Sequence, residues 1–352
     1  MKRRNFLVGS AFTAAAFAEP ALFALTTPQV EGVARATGGR IGLAEAEIVH
    51  ENVVHLRRLD HQYGSGRVRE QVVRLLGHEA ARARQGSYSE TTGRALLGAV
   101  ARLADLAAGT SIDIGRHALA QRHQIQALNL AVGAGDRMFA ADVLVRMSHM
   151  AVLVGQGAPT TDGRRRNARQ GLALARAGRS LAGTAPIPTL TTALHAVEAR
   201  GHALLDDAVE TRRSMRAAEL AYARTRPSAE PDHLHYAEGQ FAADLGRCLR
   251  DIGDGQESVR ELTRALDTNP PHRVRSRCII EADLAASYLV TGEHEQAASL
   301  GRTAVRTATT MTSARVTERL RVLRSQVRAQ PRSSGQLTDL DSRVTRLLAD
   351  NP

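Results

Sequence analysis

Leu245–Pro270 reads "LGRCLRDIGDGQESVRELTRALDTNP". None of its residues suggests catalysis, but the spacing of its small residues, leucines and closing proline decides the fold. In a frame of about 34 residues, let Leu245 be position 7. Gly246 is then 8, Leu249 is 11, Gly253 is 15, Ser258 is 20, Leu262 is 24, Ala265 is 27 and Pro270 is 32. Small residues at 8, 20 and 27 let two antiparallel helices approach closely, and large ones at 7, 11 and 24 fill the space beside them. Gly253 sits where the chain leaves the first helix, a place that favours positive φ. Pro270 stops the second helix.

The spacing recurs. Downstream, Leu284, Ala285, Tyr288, Gly292, Ala297 and Ala304 take positions 7, 8, 11, 15, 20 and 27. Upstream, Ala199, Asp206, Met215 and Ala218 take 8, 15, 24 and 27. Before them Ala151 and Gly155 take 11 and 15, and after an insertion Ala168, Leu172 and Ala175 take 20, 24 and 27. Earlier still, Ala108, Gly115, Ala120 and Ala127 take 8, 15, 20 and 27, with Gln124 off pattern at 24. These offsets resemble the tetratricopeptide repeat. The resemblance implies an all-α fold: a tetratricopeptide-repeat-like right-handed superhelix of antiparallel helix pairs.

The array is expected over residues 41–330. "DHQYGSG", from Asp60, marks an earlier helical hairpin without the signature. "ARVTERLRVLRSQV" reads as a last amphipathic helix with a basic outer face. Residues 331–352 read as a linker, "AQPRSSGQ", and a C-terminal capping helix over Leu337–Ala349. No segment alternates apolar and polar residues at period two, so no sheet is expected.

Composition agrees. Aromatic residues are 3% of the chain and tryptophan is absent, so alanine, leucine and valine must do the packing. The formal net charge is +11, nearly all of it arginine, because Lys2 is the only lysine. The arginines are spread along the chain and stacking aromatics are scarce, so no direct nucleic-acid contact is expected. Cys248 and Cys278 read as small core residues.

Residues 1–40 read as an N-terminal tail. "MKRRNFLVGSAFTAAAFAEPALFAL", Met1–Leu25, resembles a twin-arginine export signal with Ala16-Phe17-Ala18 as the cleavage site. Glu19-Pro20 interrupts its apolar run, which favours a tail docked on the first repeat and a cytoplasmic protein; export is the alternative. No membrane span is expected, since about 20 uninterrupted apolar residues are needed.

Candidate chemistry is sparse. His50 and His55 in "HENVVH" are five apart, so they do not share a helix face as zinc ligands four apart do. His233 and His235 have no further ligands near them in sequence. No phosphate loop, dinucleotide fingerprint or nucleophile elbow is present. No metal, cofactor or catalytic residue is therefore expected, and the chain is read as a non-enzyme. Arg164–Arg166 open a helix after an insertion and read as an anion contact or as a solvated loop. The stronger candidate is a groove along the first helices of the repeats. Positions 2, 5, 9 and 12 put His149, Arg200, Gln240, Arg247 and Arg250 there, with Asp244 and Asp251 beside them. Basic, amide and acidic groups together suit an extended peptide or protein segment.

"HLRRLDHQYGSGRVREQVVRLL", "GRHALAQRHQIQALNLAVGAGDR", "LHAVEARGHALL" and "AADLGRCLRDIG" taken together resemble the C-terminal repeat region of actinomycete regulators. Those regulators carry an N-terminal Cro/C1-type helix-turn-helix ahead of tetratricopeptide repeats. The resemblance covers about residues 40–350 and implies a partner-sensing scaffold in a regulatory, transcription-associated pathway. The residues ahead of the repeats show no helix-turn-helix pattern, so operator binding is not carried over. A DNA-binding regulator with a missing or separate helix-turn-helix is the alternative. A homodimer is compatible with the array and is not fixed by the sequence.

Overall fold

The computed structural model describes residues 12–27, 32–183, 187–226, 236, 238–331 and 335–350. A short 3-10 helix, Ala14–Phe17, leads into α1, Ala18–Thr26. Then follow α2 Leu43–Tyr63, α3 Ser65–Gln85, α4 Glu90–Asp113, α5 His117–Gly133, α6 Arg137–Gln156, α7 Thr161–Ala182, α8 Pro188–Leu204 and α9 Ala208–Tyr222. The rest are α10 Glu238–Asp251, α11 Gly255–Thr268, α12 Val274–Thr291, α13 His294–Ala308, α14 Ala314–Ala329 and α15 Gly335–Asp350. Two isolated bridges, Arg35 with Tyr88 and Arg40 with Ser87, are the only β pairing among the described residues.

The fold is an all-α array of helix pairs: α4 packs along α5, α6 along α7, α8 along α9, α10 along α11 and α12 along α13. The small positions explain the close fit. Ala120, Ala127, Ala168, Ala175, Ala199, Ala218, Ala265, Ala285, Ala297 and Ala304 are all fully buried. At Gly246 a Cβ would lie 2.6 Å from Leu262 Cγ, so only glycine allows that approach. The off-pattern Gln124 is buried as well, and its Oε1 finds no hydrogen bond.

The turns are built locally. Gly253 has φ +87 and its neighbour Asp254 caps α11 by accepting from the Glu257 N–H. Asp206 does the work of glycine at the matching position, with φ +62, and Asp207 caps α9. Gly155 departs from the expected pattern. It lies inside α6, not at a turn, and a Cβ there would meet Leu204 Cδ2 at 2.8 Å. The insertion after it lets α6 run longer, so its glycine serves packing.

The even-numbered helices form an inner layer. α2 packs on α4, α6 on α8, α8 on α10, α10 on α12 and α12 on α14. The array then closes on itself, because α12 also touches α2 and α14 touches α4. α4 and α6 are apolar and long enough for a membrane span by composition, but both are mostly buried in the array. The N-terminal segment docks on α5, the second helix of the first repeat that carries the signature, and also on α7 of the next. Phe17, Ala21 and Ala24 are the buried face that does so. Residues 1–11, including Arg3 and Arg4, lie outside the described residues, as do His233 and His235. The C-terminal helix is where the sequence puts it, packed on α13 and α14.

Candidate functional site

The inner faces of the even-numbered helices carry arginines and aspartates at helical spacing. A side chain recurs on one helix face every three or four residues, so Asp244, Arg247 and Asp251 of α10 point the same way, with Arg250 beside them. Arg247 donates from Nε to Asp283 Oδ2 of α12 at 2.6 Å and from Nη1 to Asp244 Oδ1 at 2.9 Å. Arg250 donates to Asp283 Oδ1 at 2.8 Å and to Asp251 Oδ1 at 3.1 Å. Arg200 of α8 donates to Asp251 Oδ2 at 2.8 Å. The buried Tyr236 hydroxyl donates to Asp244 Oδ2. Arg319 of α14 faces Asp283 Oδ1 at 3.8 Å.

A second group continues the lining. Arg57 of α2 and Arg146 of α6 both reach Asp105 of α4, at 3.3 and 3.2 Å, and Arg146 also pairs with Asp142 at 2.7 Å. The Arg146 side chain keeps 35% of its surface accessible to water, although protein surrounds it. Water therefore reaches this part of the lining.

A third group fastens the closure. Arg275 at the start of α12 grips Asp60 of α2 with both Nη atoms, at 3.1 and 2.8 Å. It also donates to Asp113 Oδ2 at the end of α4, at 2.9 Å. Ser313 and Arg315, at the start of α14, donate to Asp113 Oδ1 at 2.6 and 2.9 Å.

These surroundings set the charges. Burial raises the pKa of the Asp283 carboxyl, but Arg319, Arg247 and Arg250 outweigh it and hold the group far below the usual carboxylate range. Burial, opposed by Asp283 and reinforced by Arg247, Arg250 and Arg200, pulls the Arg319 guanidinium down to about 10. Burial also lowers the His149 imidazole; Asp244 opposes this, while Arg200, Arg247 and Arg146 add to it. The ring is therefore neutral at neutral pH. The buried Tyr236 phenol is raised well above its ordinary value by burial and by Asp244.

The sequence-derived groove residues are largely brought together. His149, Arg200, Asp244, Arg247 and Arg250 share one neighbourhood through the contacts above. Arg200, Asp244 and Arg250 are buried and paired inside the chain, while His149 and Arg247 are partly accessible. Gln240 lies one helix turn before Asp244 on the same face of α10 and is exposed. The structure adds Arg57, Asp105, Asp142, Arg146, Asp283 and Arg319. Asp283 was within reach of sequence, since it stands at position 6 as Asp244 does. Arg319 was not, because its segment reads as a last amphipathic helix with a basic outer face. That reading is corrected for Arg315 and Arg319, which flank the buried Val316 and Leu320 and point inward; Arg321 and Arg328 do face outward.

The other candidates fall elsewhere. Arg164 donates to the Leu204 carbonyl at 2.8 Å and to Asp206 at 2.7 Å, so it joins α7 to the α8–α9 turn and its anion is supplied within the chain. His50 and His55 are exposed on α2. Among the described residues no three His, Cys, Asp or Glu side chains are grouped to hold a metal ion. Cys248 and Cys278 are buried free thiols, and burial pushes both up to about 12.

No protein-family model matches the chain, and no curated protein matches it. Among solved structures it is similar to a Rap protein crystallised in complex with competence and sporulation factor. The two share 13% identity over 87% of this chain and 89% of the other, with a TM-score of 0.43. The helix pairing and the buried small positions establish the all-α repeat fold without that likeness.

Proposed function

We propose that this chain is a non-catalytic scaffold of a regulatory, transcription-associated pathway, and that it binds a peptide or protein segment along its inner face. One observation carries the reading. The inner layer of the array is lined with paired charged side chains, of which water still reaches Arg57 and Arg146, where packing alone calls for apolar ones. Burying charge is costly, and a fold that only needed stability gains little from it. An extended segment offers backbone amides and side-chain charges that such a lining recognises.

The proposal includes a cytoplasmic location. Phe17 and the buried face of α1 support it, since cleavage near Ala18 removes part of the core. The proposal also follows the resemblance to the repeat region of Cro/C1-type regulators, with DNA contact left to another segment or another protein.

The test is a peptide-capture experiment. The peptide fraction of a native-host extract is passed over the immobilised full chain, and retained peptides are sequenced, resynthesised and titrated. The expected result is a small set of sequences whose binding falls with Gln240→Trp, which crowds the inner face at an exposed position. Retained peptides that bind Gln240→Trp unchanged, or no retained peptide at all, overturn the reading.

A further inference from the structure

The ion network around α10 is not balanced. Its four guanidinia, Arg200, Arg247, Arg250 and Arg319, face three carboxylates, Asp244, Asp251 and Asp283. Tyr236 adds no charge, and the imidazole of His149 is neutral. One positive charge is left over, and it falls on Arg319. Among the described residues its carboxylate neighbour is Asp283, both of whose oxygens are already taken, Oδ2 by Arg247 and Oδ1 by Arg250. Asp283 is 3.8 Å away, too far for a hydrogen bond. Arg319 donates no hydrogen bond to any described residue, although its side chain is only 15% exposed. A guanidinium has five N–H donors. Arg319 is partly buried, and its donors, spent on no described residue, remain open to an acceptor from outside.

We infer that Arg319, with Arg247 beside it, anchors a single carboxylate of the bound peptide, either its C-terminus or an acidic side chain. The inference rests on the inner-face reading above and names the chemistry of one contact in it. The planar fork of Arg319 suits a carboxylate with two parallel N–H···O bonds. A monoanion neutralises the surplus. A phosphate dianion overshoots it and brings a second negative charge against Asp283. A merely structural arginine accounts poorly for the site: four guanidinia share three carboxylates, and the surplus charge is relieved when an anion enters. Such a built-in destabilisation is characteristic of sites that bind.

The experiment compares the full chain with Arg319→Met, which keeps an unbranched apolar stem and removes the charge. Three probes are titrated by calorimetry and by thermal unfolding: acetyl-triglycine with a free carboxylate, its C-terminal amide, and inorganic phosphate. The free carboxylate is expected to bind saturably. The amide and phosphate are expected to bind about tenfold or more weakly, and Arg319→Met to lose about the same factor for the carboxylate probe. Without ligand, Arg319→Met is expected to unfold at the same temperature as the native chain or higher. A lower unfolding temperature shows Arg319 to be a structural partner of Asp283 and overturns the inference. So does equal binding of the carboxylate and the amide, or phosphate binding as tight as the carboxylate. Should Arg319→Met fail to fold, Arg319→Lys keeps the charge, loses the fork, and is expected to bind the carboxylate probe more weakly than the native chain; equal binding overturns the inference. The two readings fail separately. Captured peptides that bind Arg319→Met unchanged remove the anchor and leave the groove. A carboxylate probe that binds while no peptide is captured leaves the anchor and removes the peptide reading.

Discussion

Replacing Arg275 with methionine cuts one of the ties between the two ends of the array, the one from α12 to α2. Methionine keeps much of the apolar stem, so the change removes charge and hydrogen bonds more than packing. Arg275 holds Asp60 by both nitrogens, and its loss leaves that carboxylate with the Ser65 hydroxyl alone. Asp113 fares better, since Arg315 and Ser313 still donate to it. Breaking a buried ion pair by removing one partner costs about 3–5 kcal/mol. With Asp113 still partly satisfied, the lower end, about 3 kcal/mol, is expected. Asp60→Asn alone also breaks the pair, so the double variant should recover about 2 kcal/mol against additivity. Urea unfolding of the four proteins measures this, with the exposed pair Arg74–Glu70 as a control worth under about 0.5 kcal/mol. Small-angle scattering adds a second reading. If Arg275 fastens α12 to α2, its loss should raise the radius of gyration. A cost under about 1 kcal/mol, additivity in the double variant and unchanged scattering would together refute the closure.

Other outcomes follow from the same geometry. Acid should unfold the chain in steps. Burial, with Arg275 and Arg273 beside it, lowers His61 to about 4, against opposition from Asp60. The unfolded chain therefore takes up the proton first, and stability present above about pH 6.5 is lost as the pH falls toward 4. The carboxylates of Asp60 and Asp251 are held low because their arginines outweigh burial, so their contribution is present above about pH 4 and lost below it. A urea midpoint that stays flat from about pH 7 to 4.5 contradicts this. Gly246→Val should cost about 2 kcal/mol or more by forcing Leu262 away, and a near-neutral effect on the unfolding midpoint counts against the helix packing. Phe17→Ala should cost about 3–5 kcal/mol if α1 belongs to the core, as read by urea unfolding; a chain that is indifferent to it reopens export. Neither cysteine should react with iodoacetamide at mildly alkaline pH until the chain unfolds, and rapid alkylation of the native protein contradicts their burial.

The parts of the fold that depend on neighbours in sequence were legible. Gly253 and Gly292 announce turns because positive φ is a local demand, and Ala120, Ala168, Ala265 and Ala297 announce close helices because a methyl group is all that fits. The same logic misread Gly155, where the insertion moved the turn. Helix periodicity also brought Arg200, Asp244, Arg247 and Arg250 to one side. It could not show that they neutralise one another, because partner choice depends on how neighbouring repeats are rotated. Nor could it reveal the closure. Asp60 and Arg275 are 215 residues apart, and their meeting depends on small rotations summed over the whole array. Arg319 was hidden for the same reason: α14 ends the array in sequence yet lines its interior.

The central claim is that the inner face takes up a peptide. It is tested most directly by placing a photo-crosslinking benzoylphenylalanine at Gln240 on the inner side and, separately, at the exposed Arg213 on α9. Both chains are irradiated in the native host and the adducts are identified by mass spectrometry. The account expects a defined peptide adduct at residue 240 and none at residue 213. The same adducts at both positions, or an adduct at 213 alone, would contradict it.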